Sequence, residues 1–107
     1  PVPVLDETTL AALAPTPAER AVLLEEFLAS CNDDMAALRT ALVGEPTEAH
    51  RHAHRLKGAA RLVGALPLAD AAGAVEQALR TGGEINLEAL ADALIALRAA
   101  VSGPTAT

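Results

Sequence analysis

Four segments of this chain repeat apolar residues at alternating spacings of three and four, a rhythm that fits an amphipathic helix and no strand. The first runs Leu24, Leu28, Cys31, Met35, Leu38, Leu42, and the next Ala49, Ala53, Leu56, Ala60, Val63. The third runs Leu68, Ala72, Val75, Leu79, and the last, the clearest of the four, Leu87, Leu90, Leu94, Leu97, Val101. Each stripe needs an apolar partner, and the connections are only a few residues long. Such segments pack as an antiparallel up-down four-helix bundle.

Punctuation along the chain places the ends. Asp6 is an N-cap candidate for a short additional N-terminal helix carrying Leu10 and Leu13, which Pro15 stops near Ala14 and which is expected to cover one end of the bundle. Thr16, Pro17 and Glu19 form a capping-box pattern that starts the second helix, expected to end near Gly44. The third helix begins around Pro46 and ends at Gly64, where glycine can take the left-handed geometry. The fourth follows Pro67 and stops at Thr81-Gly82-Gly83, and Asn86 caps the fifth. A domain over residues 5–102 is expected, with residues 1–4 as linker and residues 103–107 as a disordered tail.

Composition supports an all-α class: 26 of the 107 residues are alanine and 17 leucine, both strong helix formers. It also narrows the partners. Phe27 is the only aromatic residue, so bases have almost nothing to stack on, and a net charge of −6 opposes a phosphate backbone. Nucleic acid is excluded as an expected partner. No run of roughly 18 to 20 apolar residues suggests a membrane span, and Pro1-Val2-Pro3-Val4 lacks a signal peptide's basic region. A cytoplasmic setting is expected, and one cysteine, Cys31, fits reducing conditions as a small packing residue. The start without methionine points to a module of a longer protein.

The third helix carries the chemistry. His54 lies nearly opposite its apolar stripe, with His50 one turn earlier and Lys57, Gly58 and Arg61 following on its own side. An imidazole near its ordinary pKa of about 6.5 is partly neutral at cytoplasmic pH, so a ring nitrogen can act as nucleophile. Nearby cations suit a phosphoryl group, whose transfer depends on positioning and charge stabilisation. Lys57 is best placed, with Arg61 and His50 behind it. Gly58 costs the helix about 1 kcal/mol relative to alanine, and on an exposed face it reads as a docking notch where another protein approaches the imidazole.

The run His54-x-Leu56-Lys57-Gly58-x-x-x-x-x-Gly64 resembles the signature of histidine-containing phosphotransfer (HPt) domains. Leu24-x-x-Phe27-Leu28, Met35-Ala36-Ala37-Leu38-Arg39, Gly44-Glu45 and Val75-Glu76-x-Ala78 extend the resemblance over about Leu5 to Val101. It is strongest to the HPt modules at the C-terminal ends of hybrid sensor kinases, so the parent is expected to be such a kinase, with this module at the cytoplasmic end of an inner-membrane sensor. The resemblance implies a phosphorelay in which Nε2 of His54 accepts phosphate from a receiver-domain aspartate and passes it to the aspartate of a response regulator. No G-x-x-x-x-G-K-[ST] loop or other nucleotide-binding segment is present, so self-phosphorylation from ATP is not expected. The chain is then a transfer module without a kinase site of its own, monomeric in isolation and binding no cofactor, with Mg2+ expected on the partner receiver.

Plainer readings compete with these. His50 and His54 could share a zinc ion, but with no obvious acidic or cysteine ligand to join them two histidines make a poor site, and no metal site is expected. Asp33 and Asp34 read as a solvated face. The alternative function is a non-catalytic helical interaction module using the His54 face.

Overall fold

At Thr16 the hydroxyl oxygen accepts the Glu19 backbone N–H at 3.1 Å, and the Glu19 carboxylate accepts the Thr16 N–H at 3.1 Å. This reciprocal cap satisfies two donors that the first turn of a helix leaves open. The helix it starts is the longest of five in the computed structural model, which describes residues 3–102. In order they are α1 (Glu7–Leu13), α2 (Pro17–Gly44), α3 (Pro46–Val63), α4 (Leu66–Thr81) and α5 (Leu87–Val101). At a rise of about 1.5 Å per residue, α2 alone accounts for the 44 Å long dimension of the molecule. The helices α2 to α5 pack in sequence, α3 against both α2 and α4, α4 against α5, and α5 back against α2. This is the expected all-α bundle with its short N-terminal helix.

Leu38, Leu56, Leu68, Leu90 and Leu97 are fully buried at its centre, and Ala49, Ala53, Ala60 and Ala72 let the backbones of α3 and α4 approach closely. The α2 stripe departs from its sequence pattern, because Leu28 and Leu42 are half-buried while Phe27 and Ala41 enter the core. Phe27, Asp34 and Ala41 stand seven residues apart on one row of the helix, and that row, beside Leu24, Cys31 and Leu38, is the one turned inward along the whole of α2. On it Asp34, three residues after Cys31 and four before Leu38, is 4% exposed. The expectation of a solvated Asp33-Asp34 face therefore holds for Asp33 alone.

Gly64 ends α3 with φ +81°, and the Ala65 N–H reaches back to the Ala60 carbonyl at 2.8 Å. The Gly64 carbonyl accepts the Asp6 N–H at 2.8 Å, which fastens the start of α1 to the end of α3. Asp6 stands at the N-cap position, but its carboxylate accepts the Thr9 hydroxyl at 2.5 Å and not a backbone N–H. Leu10 is fully buried, whereas Leu13 is exposed, since a seven-residue helix lying across a bundle end has one inward face. The fourth helix begins at Leu66, one residue before Pro67, because a first-turn proline lacks only an N–H that would be unpaired there. Asn86 caps α5 as expected, its side-chain oxygen accepting the Ala89 N–H at 2.9 Å. Val4 and Leu5 lie half-buried against the core. The linker residues Pro1 and Val2 and the tail 103–107 lie outside the described residues. No helix among the described residues is long and apolar enough to cross a membrane.

Candidate functional site

The imidazole of His54 stands on the outward side of α3 with its side chain 66% exposed, and what holds it comes from α4. Its Nδ1 lies 2.7 Å from Oε2 of Glu76. That carboxylate is almost completely buried, and its other oxygen, Oε1, pairs with the Lys57 ammonium at 2.5 Å. Lys57 holds the Glu76 carboxyl below the ordinary glutamate value; burial pushes the other way, and the His54 hydrogen bond adds to the lowering. An ionised carboxylate only accepts hydrogen bonds. Nδ1 of His54 must then carry its proton and donate, which leaves Nε2 as the nitrogen with a lone pair when the ring is neutral.

One turn before His54, the His50 ring lies parallel to it, at a centroid distance of 6.5 Å and 7° between planes. Its Nε2 stands 3.5 Å from the same Oε2 of Glu76. Three side chains of one helix thus converge on a single carboxylate of the next. Gly73, one turn before Glu76 on α4, leaves room for the lysine, because a Cβ there would stand 3.3 Å from the Lys57 stem and crowd it.

A model of the Hpt domain family matches residues 22–103, which is most of the chain. The chain belongs to the Hpt domain family. This Hpt domain is similar in structure to histidine-containing phosphotransfer protein B (HptB) from Pseudomonas aeruginosa PAO1, with a TM-score of 0.83 and 27% sequence identity. The likeness covers 95% of this chain and 94% of that one. No curated protein matches the sequence.

Within the Hpt domain the residues named from sequence fall into two groups. His50, His54 and Lys57 are brought together by Glu76, and Lys57 meets the carboxylate that holds the His54 ring rather than the ring itself. Arg61 is exposed, and while its carbonyl accepts the Gly64 N–H at 3.2 Å, its guanidinium makes no hydrogen bond or ion pair among the described residues. Gly58 is exposed, and a Cβ built on it would meet nothing within 4 Å, so internal packing does not explain the glycine. Leu62, one turn beyond Gly58, is 65% exposed and adds an apolar spot to that face. Glu76 and Gly73 were not expected in the site. Their signal is faint: a carboxylate beside Val75 at the edge of the α4 stripe, with a helix-interior glycine one turn earlier.

Away from this face, Arg55 Nη1 lies 3.5 Å from the buried Asp34 Oδ1 and links α3 to α2. The Cys31 thiol is pushed up to about 12, mainly by burial, and stays protonated as a packing group. No cluster of three or more His, Cys, Asp or Glu side chains suited to a metal occurs among the described residues.

Proposed function

We propose that His54 is the relay residue of this Hpt domain, taking a phosphoryl group from the phospho-aspartate of one receiver domain and giving it to the aspartate of another in two-component signalling. The observation that carries this reading is the Nδ1 contact to Glu76 at 2.7 Å, which fixes the tautomer and leaves Nε2 as the outward nucleophile. The Nε2 lone pair forms a bond to phosphorus as the aspartyl O–P bond breaks, and the aspartate leaves with the electron pair. The ring is then substituted at Nε2 and protonated at Nδ1, so it carries a positive charge. Glu76 faces that charge and supports it through a charge-assisted hydrogen bond, worth about 1.5–3 kcal/mol. In the onward step the N–P bond breaks and its electrons return to Nε2, with Nδ1–H still on Glu76. No proton has to move in either direction, which suits a reversible relay.

Lys57 in this reading neutralises Glu76 and sets its orientation. Arg61, exposed on the same side, is the cation available to an incoming phosphoryl group. Gly58 and Leu62 form the face on which a receiver docks, and the receiver is expected to bring its own Mg2+ and acidic groups, with no cofactor resident in this chain. The parent is proposed to be a hybrid sensor kinase. Incubation with a phosphorylated receiver tests the assignment: the wild-type domain should take up acid-labile, alkali-stable phosphate, and His54→Gln should take up none. Undiminished label in that variant would place the relay on another residue, and a wild-type domain that takes up no label would leave the plain interaction-module reading in its place.

A further inference from the structure

The imidazole of His50 presents an unusual atom. Its Nε2 is shielded from solvent and has no hydrogen-bond partner, although a carboxylate oxygen stands 3.5 Å away. That distance is too long for a hydrogen bond, and unpaired buried polar atoms are uncommon enough to need an explanation. A neutral ring with its proton on Nδ1 supplies one, because it turns a lone pair toward an oxygen that also only accepts. A single proton added at Nε2 converts this mismatch into a charge-assisted donor to Glu76 Oε2.

We propose that His50 is a second positioning residue of the phosphotransfer site, whose protonation engages Glu76 Oε2 and thereby makes the hold on His54 depend on pH. The proposal rests on the reading of His54 as the relay residue. Oε2 is the oxygen that the His54 Nδ1–H already uses at 2.7 Å, so a protonated His50 shares the acceptor that fixes the nucleophile's tautomer. It also places a second cation 6.5 Å from a ring that becomes cationic on phosphorylation. Both effects act in one direction. With His50 protonated, the phosphorylated form of His54 loses support and phosphate moves more readily to the partner aspartate.

The charged groups around His50 come from two elements. On α4 they are Glu76 and Arg80, the latter lining with Pro46, Thr47 and Leu79 an open hollow of about 460 Å³ at the His50 ring. On α3 they are His54, and Lys57 through their shared carboxylate. The α2 helix meets the other side of α3, where Thr40 and Ala41 line a groove with Glu48 and His52, and α1 is fastened at the Gly64 end. Arg80 is engaged by Gln77 at 2.6 Å, so the proton-dependent contact open to His50 Nε2 is the one to Glu76.

Nitrogen-detected NMR titration of the unphosphorylated domain tests this directly. In the wild type the His54 Nδ1–H resonance should move in two steps, one of them in concert with the ring resonances of His50. His50→Gln should remove that step, and Glu76→Gln, which removes the shared carboxylate and serves if the first variant does not fold, should shrink it to the through-space effect of the second cation. With phosphoramidate as donor, the fall in phosphohistidine between about pH 8 and pH 6 should be at least about twofold shallower in His50→Gln than in the wild type. Superimposable His54 titrations in wild type and both variants would overturn the proposal. Failure of wild-type His54 to take label from receiver or phosphoramidate, with the two-step titration intact, would instead overturn the relay reading on its own.

Discussion

Lys57 Nζ and Glu76 Oε1 meet at 2.5 Å across the α3–α4 interface, in space that Gly73 leaves open. The contact gives the carboxylate that holds His54 a built-in counter-ion. The pair is well shielded, Lys57 being 20% and Glu76 7% exposed by side chain, so neither charge is well served by water if the other is lost.

Glu76→Gln is therefore expected to lower unfolding free energy by about 1–3 kcal/mol in urea titration at neutral pH. It should also slow transfer to His54 by about tenfold or more, since an amide holds the ring less firmly than a carboxylate does. Because Lys57 and His54 hold the Glu76 carboxyl below its ordinary value of 4.5, its contribution is fully present above that value. The contribution is lost as pH falls through the lower folded-state value, so the gap between wild type and variant should close in acid.

Gly58 and Gly73 should answer alanine differently. At Gly58 the added methyl meets nothing within 4 Å, so Gly58→Ala should stabilise the domain by about 0.5–1 kcal/mol, while Gly58→Glu keeps the helix and slows transfer from a receiver. At Gly73 the same methyl comes within 3.3 Å of Lys57 Cδ and displaces the lysine stem, offsetting most of the helix gain. Thermal unfolding together with transfer rates separates the two. Unchanged transfer kinetics in a folded Gly58→Glu variant would remove the docking notch.

Gly64→Ala is expected to cost about 1–3 kcal/mol. Its φ of +81° strains any other residue, and a Cβ would stand 3.0 Å from Asp6 Cβ and 3.1 Å from the Asp6 carbonyl oxygen. The Asp6 N–H bond to the Gly64 carbonyl should then open, and faster amide exchange at Asp6 is the measurement that shows it.

Asp34→Asn should become more stable relative to wild type as pH rises. Burial pushes the Asp34 carboxyl above its ordinary value of 3.8, and Arg55 only partly opposes this. Between that value and the higher folded-state one the native protein binds more protons than the unfolded chain, so wild-type stability falls with rising pH. The amide does not titrate, and urea midpoints at about pH 4 and about pH 7 should diverge in its favour.

Periodicity was enough for the helices because each stripe is a local property of a turn about 3.6 residues long. The cap at Thr16, the left-handed stop at Gly64 and the cap at Asn86 are likewise local, since a capping side chain reaches only a few residues. The exposure of His54 followed from its place opposite the α3 stripe.

Glu76 belongs to another level. Nothing in residues 72–79 says that its carboxylate faces three side chains of α3, because the rotation of α4 about its axis and the offset between the two helices are set by packing. The sequence alone thus determined the all-α bundle, its breaks, and an outward histidine followed by a glycine on the same exposed side. Only the tertiary structure decided which nitrogen of that histidine is held, by which carboxylate, and that His50 and Lys57 share it. The physical reason is range: helix periodicity and caps act over a single turn, whereas the His54 and Glu76 contact spans 22 residues and exists only after two helices have packed.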